Sequence, residues 1–256
     1  MKRILTALLL TLMTTLSLHA AAPDTRAYEL RVYYAAPGKL DDLNKRFRDH
    51  TGKLFEKHGM VNIGYWVPQE NPDRKLIYII AHASRAAAKK SWTDFMADPD
   101  WKAAQKASEV NGGLVAKVDS TFLTAADYSP AIKPASAKEN RVFELRTYTA
   151  SKGNLAALND RFRHHTLALF TKHGMEHVGY WTPLEARQGA DHTLLYIIAH
   201  QSKAAAEASF KSFRADPDWI AAKEASEKKA GGPLTEGGMA GVKSVFMNPT
   251  DYSQTK

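Results

Sequence analysis

Apolar and polar positions follow two rhythms along this chain, and the rhythms return in the same order in its second half. From Tyr28 to Ala35 the residues alternate and are rich in Tyr and Val, which predicts a strand. Pro37-Gly38 turns the chain. Leu40, Leu43, Phe47, His50, Leu54 and His58 then keep the three-and-four spacing of one helix face, and Gly59 sits where a helix C-cap belongs. Met60 to Val67 and Leu76 to His82 predict two more strands, joined through Pro68 to Pro72. Ser84 can cap the Ala-rich helix that follows. Asp98-Pro99 restarts that helix, with Asp as cap and Pro in the first helical position. Val118 to Leu123 is the last strand. This βαββαβ order predicts an α+β fold, a ferredoxin-like antiparallel sheet with helices on one face.

The same text is then written again. Glu29-Leu30-Arg31 recurs as Glu144-Leu145-Arg146, Lys57-His58-Gly59-Met60 as Lys172-His173-Gly174-Met175, and Gly64-Tyr65-Trp66 as Gly179-Tyr180-Trp181. Asp98-Pro99-Asp100-Trp101 matches Asp216-Pro217-Asp218-Trp219, and Asp127-Tyr128-Ser129 matches Asp251-Tyr252-Ser253. So long a period means two domains rather than a solenoid. The expected division is a first repeat over 24–129, a linker over 130–140 and a second repeat over 141–256. In the first strand Leu30 and Val32 point one way, and Glu29, Arg31 and Tyr33 the other. A sheet with helices on one face needs a cover for its second face. Two repeats can supply it by packing sheet to sheet, as an intramolecular dimeric α/β barrel. On this plan the Glu29, Arg31 and Tyr33 faces meet inside.

Tyr-Glu-Leu-Arg-x-Tyr opening a strand, Pro-Gly before a helix, Lys-His-Gly, Gly-Tyr-Trp and a late Asp-Pro-x-Trp together resemble the NIPSNAP family. The motifs run in order through both halves. The second repeat departs by opening with Phe143 and by inserting residues between Gly231 and Gly241. The resemblance implies the dimeric α/β barrel fold, shared with muconolactone isomerases, small cofactor-free monooxygenases and chlorite dismutase-like haem proteins. The family itself carries no agreed activity.

Lys2-Arg3, an apolar run to Leu18 and the small residues Ala20 to Ala22 predict a signal peptide over 1–22. The run is short for a bilayer span. A periplasmic or secreted protein follows, with no integral membrane association once the segment is removed. The formal charge of +8 invites a nucleic-acid reading, but losing Lys2 and Arg3 leaves +6. The remainder interleaves with acids along helix faces, and no Gly-rich aromatic strand of the RNA-binding kind is present. No nucleic-acid partner is expected. The absence of cysteine excludes thiol catalysis, Cys-ligated zinc and iron–sulfur clusters.

Two constellations could carry chemistry. Glu29, Arg31 and Tyr33, with Glu144, Arg146 and Tyr148, share one strand face at i, i+2, i+4. They read either as a patch that binds an acidic or phenolic molecule or as a structural cluster joining the sheets, since a buried charge needs a partner. The histidines are the second. His50 and His165 fall in register with the buried helix face, which makes them candidate catalytic bases, while His82 and His200 are candidate ligand contacts. His58 before Gly59 is explained as a cation at a helix C-terminus. No H-x-x-x-H pair supports zinc and nothing marks a haem ligand, so neither metal nor cofactor is expected. The Gly231–Gly241 insertion lacks a phosphate-loop ending and reads as a surface segment that could serve as a lid.

The function expected is therefore binding of a small apolar or aromatic molecule, in a protein free to form oligomers. One alternative is a cofactor-independent isomerase or monooxygenase, with His50 or His165 as base and Arg31 or Arg146 steadying a developing anion. The other is an interaction module whose barrel is filled by its own side chains.

Overall fold

The computed structural model describes residues 24–135 and 141–256; the expected signal segment and the end of the linker lie outside the described residues. The first half runs β1 (Ala27–Ala35), α1 (Leu40–Arg46), a π-helical turn (Phe47–Thr51), α2 (Gly52–Lys57), β2 (Val61–Pro68), β3 (Lys75–His82), α3 (Arg85–Ala97), α4 (Pro99–Ser108) and β4 (Val115–Ala125). The second repeats that order as β5 (Val142–Thr149), α5 (Leu155–Arg161), a π turn (Phe162–Thr166), α6 (Leu167–Lys172), β6 (Glu176–Pro183), β7 (Thr193–His200), α7 (Lys203–Ala215), α8 (Pro217–Ala230) and β8 (Val242–Pro249).

Local signals account for the element ends. Ser84 Oγ accepts from the Ala87 N–H at 3.0 Å, and Asp98 Oδ1 from the Asp100 N–H at 2.8 Å, with Pro99 opening α4. Gly59, at φ +75°, lets the Met60 N–H return to the Phe55 carbonyl and close the helix end. Within each half the strands pair antiparallel in the order β4-β1-β3-β2 or β8-β5-β7-β6. Three-residue seams then join β2 to β8 and β4 to β6 into one closed eight-stranded barrel. The α+β class, the ferredoxin-like repeats and the intramolecular barrel are all present.

The faces of the first strand alternate as expected, but they are assigned the other way round. Leu30 and Val32 point into the barrel, with Ile77, Ile79, Leu145, Leu195 and Ile197. Glu29, Arg31 and Tyr33 face the helices. Charges inside a dry barrel would lose water without gaining partners, whereas the helix side supplies donors from α3 and β4. The interior is completed by aromatic pairs across the halves, Tyr28 with Trp181 at 5.8 Å and Trp66 with Phe143 at 5.6 Å. These pairs explain Gly-Tyr-Trp. A Cβ on Gly64 would lie 2.4 Å from the Trp66 ring, so the indole folds back over a residue that must be glycine.

The repeated Asp-Tyr-Ser segments are exchanged between the halves. Ser253 Oγ accepts the Tyr65 N–H at 2.9 Å, Tyr252 donates to Asn44 at 2.7 Å, and Asp251 pairs with Arg48. Reciprocally, Ser129 Oγ accepts the Tyr180 N–H at 3.1 Å, Tyr128 donates to Asn159 at 2.6 Å, and Asp127 pairs with Arg163. Each copy thus closes on the other. Among the described residues no helix is long and apolar enough to cross a membrane.

Candidate functional site

Glu29 is the hub of the first helix–sheet cluster. Its carboxylate accepts from Arg31 at 2.5 Å, Ser120 Oγ at 2.6 Å, the Trp92 indole at 2.7 Å and His82 Nε2 at 3.1 Å. Burial works against its ionisation, but the bond to His82, the charge of Arg31 and the Ser120 and Trp92 donors together bring its pKa down to about 2. Every one of these partners belongs to the first half, so the cluster does not join the two sheets; it ties β1, β3 and β4 to α3. In the second half Glu144 accepts from Arg146 at 2.5 Å, Ser244 at 2.5 Å and His200 at 3.2 Å. Its pKa is likewise lowered, against burial, by His200 and Arg146. Phe210 stands where the first copy has Trp92, so the indole donor is missing.

That difference accompanies a cavity. Between β5, the α5–α6 helix, α7 and α8 lies a space of about 320 Å³, lined by Arg146 and Tyr148 from the cluster, by Arg161, and by Phe162, Phe170, Phe210, Phe213 and Trp219. Thr235, Gly238 and Met239 of the insertion form part of its wall. The insertion is held in place, with the Glu236 N–H on the Thr149 carbonyl at 2.9 Å and Thr235 Oγ1 donating to the Gly238 carbonyl at 2.7 Å. Gly241 is required where the segment doubles back, since a Cβ there would lie 2.5 Å from the Glu236 carbonyl oxygen. The barrel interior is packed with its own buried side chains, which counts against a ligand inside the barrel itself. The free space lies instead on the opposite face of the sheet.

The candidate bases are not in this cavity. His50 and His165 are exposed, on the outer side of their helices. The reason is the π turn, which adds a residue to one turn and rotates everything beyond it. Gly52 N–H reaches back five residues to the Phe47 carbonyl, and Leu167 N–H to that of Phe162. Thr51 and Thr166 take the inward positions expected of the histidines, and their hydroxyls donate to the Arg46 and Arg161 carbonyls at 3.2 Å. His165 lines outer grooves with His164, Ala222 and Ala225. His82 and His200 are buried, as partners of Glu29 and Glu144 rather than as cavity lining. His58 and His173 bond Asp98 and Asp216, the N-cap carboxylates of α4 and α8, at 2.6 and 2.7 Å.

Of the candidate catalytic and ligand-binding residues read from the sequence, Arg146 and Tyr148 alone line the cavity. Trp219 was visible only as the end of the Asp-Pro-x-Trp motif, and Arg161, Phe210 and Phe213 were not assigned to a site; the readable signal was Phe210 opposite Trp92 in otherwise matching helices. Arg146 Nη2 lies 3.3 Å from the Tyr148 hydroxyl, which also receives the Tyr196 hydroxyl at 3.0 Å. The arrangement is a polar end set into an aromatic box. Among the described residues no group of three or more His, Asp or Glu could hold a metal ion.

The chain is similar in structure to a candidate monooxygenase from Fusobacterium nucleatum subsp. nucleatum ATCC 25586 (TM-score 0.57, 10% identity, 91% of this chain and 95% of that one). It is similar as well to a candidate monooxygenase from Lactobacillus acidophilus NCFM (TM-score 0.56, 11% identity, the same coverage) and to an anthrone oxidase-like protein (TM-score 0.55, 12% identity, again 91% and 95%). At these identities the likeness is one of fold, the dimeric α/β barrel. No curated protein matches the chain. The NIPSNAP family model matches twice, over residues 28–130 and 143–254, and together the two matches take in most of the sequence. The chain therefore belongs to the NIPSNAP family, as a tandem of two of its domains.

Proposed function

We propose that the protein is exported and binds a small apolar or aromatic molecule in the helix–sheet cavity of its second half. The observation that carries the binding reading is the cavity itself: about 320 Å³ walled by Phe162, Phe170, Phe210, Phe213 and Trp219, with Arg146 and Tyr148 at one side. Ligand sites are commonly concave and mostly apolar, with a few polar groups to orient the guest. Export rests on the basic, then apolar, then small-residue pattern of the first 22 residues.

Both parts have direct tests. Native mass spectrometry of protein purified from the periplasmic fraction should find a chain beginning near Pro23 with a copurified small molecule, released on unfolding. A chain that keeps Met1 and stays in the cytoplasm would end the export reading. A ligand-free protein that also fails to take up aromatic probes would end the binding reading.

The fold likeness to monooxygenases favours a second reading, a cofactor-independent enzyme of the same barrel type. His50 and His165 are too exposed for the role of base on a cavity-bound substrate. Arg146 keeps its place beside any anion that develops in the cavity. Oxygen uptake with the copurified molecule as substrate, lost in Arg146→Met, would support this reading.

A further inference from the structure

The two halves share a fold and most of their cluster residues, so the places where they differ mark what one copy does and the other does not. Around the cavity the differences converge. Trp92 of the first copy is Phe210 in the second, which removes the larger ring and its N–H. Met96 becomes Arg214 and Gln105 becomes Lys223, and both cations line the cavity. The insertion carrying Gly238 and Met239 walls the same space and has no counterpart in the first copy.

Among the lining residues the charge becomes more positive. In the first copy Arg46 holds Glu109 at 2.7 Å. In the second, Glu227 sits 3.5 Å from Arg161 because Lys223 draws it to 2.9 Å. Arg161 is therefore less neutralised than its counterpart, although it is only 6% exposed. Its Nε and that of Arg146, itself only 8% exposed, are buried without a hydrogen-bond partner, as are those of Arg46 and Arg31 in the first copy, so the copies differ in the pairing of the guanidinium and in the added cations rather than in the idle Nε. A buried guanidinium whose carboxylate is shared with Lys223, beside the added Arg214, is an environment that favours a negative guest.

We infer that the second copy alone is the ligand site and that its ligand is an organic anion, an aromatic ring bearing a carboxylate. The ring packs among Phe210, Phe213 and Trp219, and the carboxylate meets Arg146 and Arg161, with Arg214 and Lys223 at the entrance. This rests on the reading that the cavity binds an aromatic molecule and adds its charge and its restriction to one copy.

The test compares 2-naphthoate with its neutral isostere 2-naphthamide, by titration calorimetry on the mature full chain. Naphthoate should bind once per chain, with an affinity about tenfold or more above that of naphthamide, and the preference should shrink as salt is raised. Arg214→Met with Lys223→Gln, at exposed positions, installs the first copy's residues and should bring the preference to within about threefold. Phe210→Trp, with unchanged circular dichroism, should abolish binding of both probes. Equal binding of the two probes, both lost in Phe210→Trp, would overturn the anion and leave the aromatic cavity standing. Two naphthoates per chain would overturn the restriction to the second copy. Binding that survives Phe210→Trp, or no binding of either probe, would overturn the cavity reading together with the inference.

Discussion

Replacing Glu29 with Gln removes one charge from the most connected carboxylate of the fold while keeping its shape. The native pKa of Glu29 is about 2, against an ordinary value of 4.5. Each unit is worth about 1.4 kcal/mol, so ionisation of this one group stabilises the native state by about 3 kcal/mol at pH 7. The side chain is 1% exposed, and little of this is lost to screening. The sign follows from the direction of the shift. A carboxylate whose folded pKa is depressed contributes in full above its unfolded pKa and loses that contribution as pH falls through the folded value. Glu29→Gln should therefore be less stable than the parent by about 3 kcal/mol at pH 7, by about 1 kcal/mol at pH 3 and by less than that at pH 2. Urea unfolding followed by Trp fluorescence and circular dichroism at those three pH values measures the difference. A gap below about 1 kcal/mol at pH 7 would refute the reasoning, and so would a gap that stays constant down to pH 2, because ionisation would then not be its source. Glu144→Gln follows the same course with a smaller gap, since Glu144 lacks the indole donor that Trp92 gives Glu29.

Other perturbations test the rest of the framework. Gly64→Ala drives a methyl against the Trp66 ring inside the barrel and should cost about 1–3 kcal/mol in thermal or urea unfolding; a neutral result would mean the indole can move aside. Ser253→Ala strips the partner from the buried Tyr65 N–H and should cost about 1–3 kcal/mol, although Ser253 lies in the other copy. Asp98→Ala removes the α4 cap together with the partner of His58, and should lower stability by about 1–2 kcal/mol. His50→Ala, by contrast, should stay within about 0.5 kcal/mol of the parent and leave probe binding unchanged; a large loss of binding would restore it to the site.

The elements were legible because their signals are local. Ser84, Asp98, Pro99 and Gly59 act within three residues of themselves, and the alternation of β1 needs no tertiary information. The repeat, and with it the closed barrel, was legible from identity between the halves. The direction of the β1 faces was not. Alternation says that Glu29 and Leu30 part company, but which of them meets the helices depends on donors from residues 92 and 120. The placement of His50 failed for a physical reason of another kind: periodicity assumes a constant turn, and a single π turn moves Thr51 into the expected position. Recurrence of Thr51 and Thr166 was the available hint, since a hydroxyl there can satisfy the carbonyl that the widened turn frees. The cavity was hardest, because its one local signal, Phe210 opposite Trp92, gains meaning only once β5, the α5–α6 helix, α7, α8 and the insertion are seen around it.

Fusing the two copies has a consequence for function that a symmetric dimer of single domains could not reach. In a homodimer any substitution that opens a site opens both, and weakens both Glu-centred clusters. Here the first copy keeps Trp92 on Glu29, with Arg46 closely paired to Glu109. The second forgoes the indole donor at Glu144 and loosens the Arg161–Glu227 pair, which makes room and leaves positive charge beside it. The stability given up in one half is held in common, because the barrel interior and the exchanged Asp-Tyr-Ser segments bind each copy to the other. A site can therefore be opened in the second half while the first sustains the fold, and stability should separate accordingly: cluster substitutions in the first half act on the barrel as a whole, whereas those lining the cavity act first on what it binds.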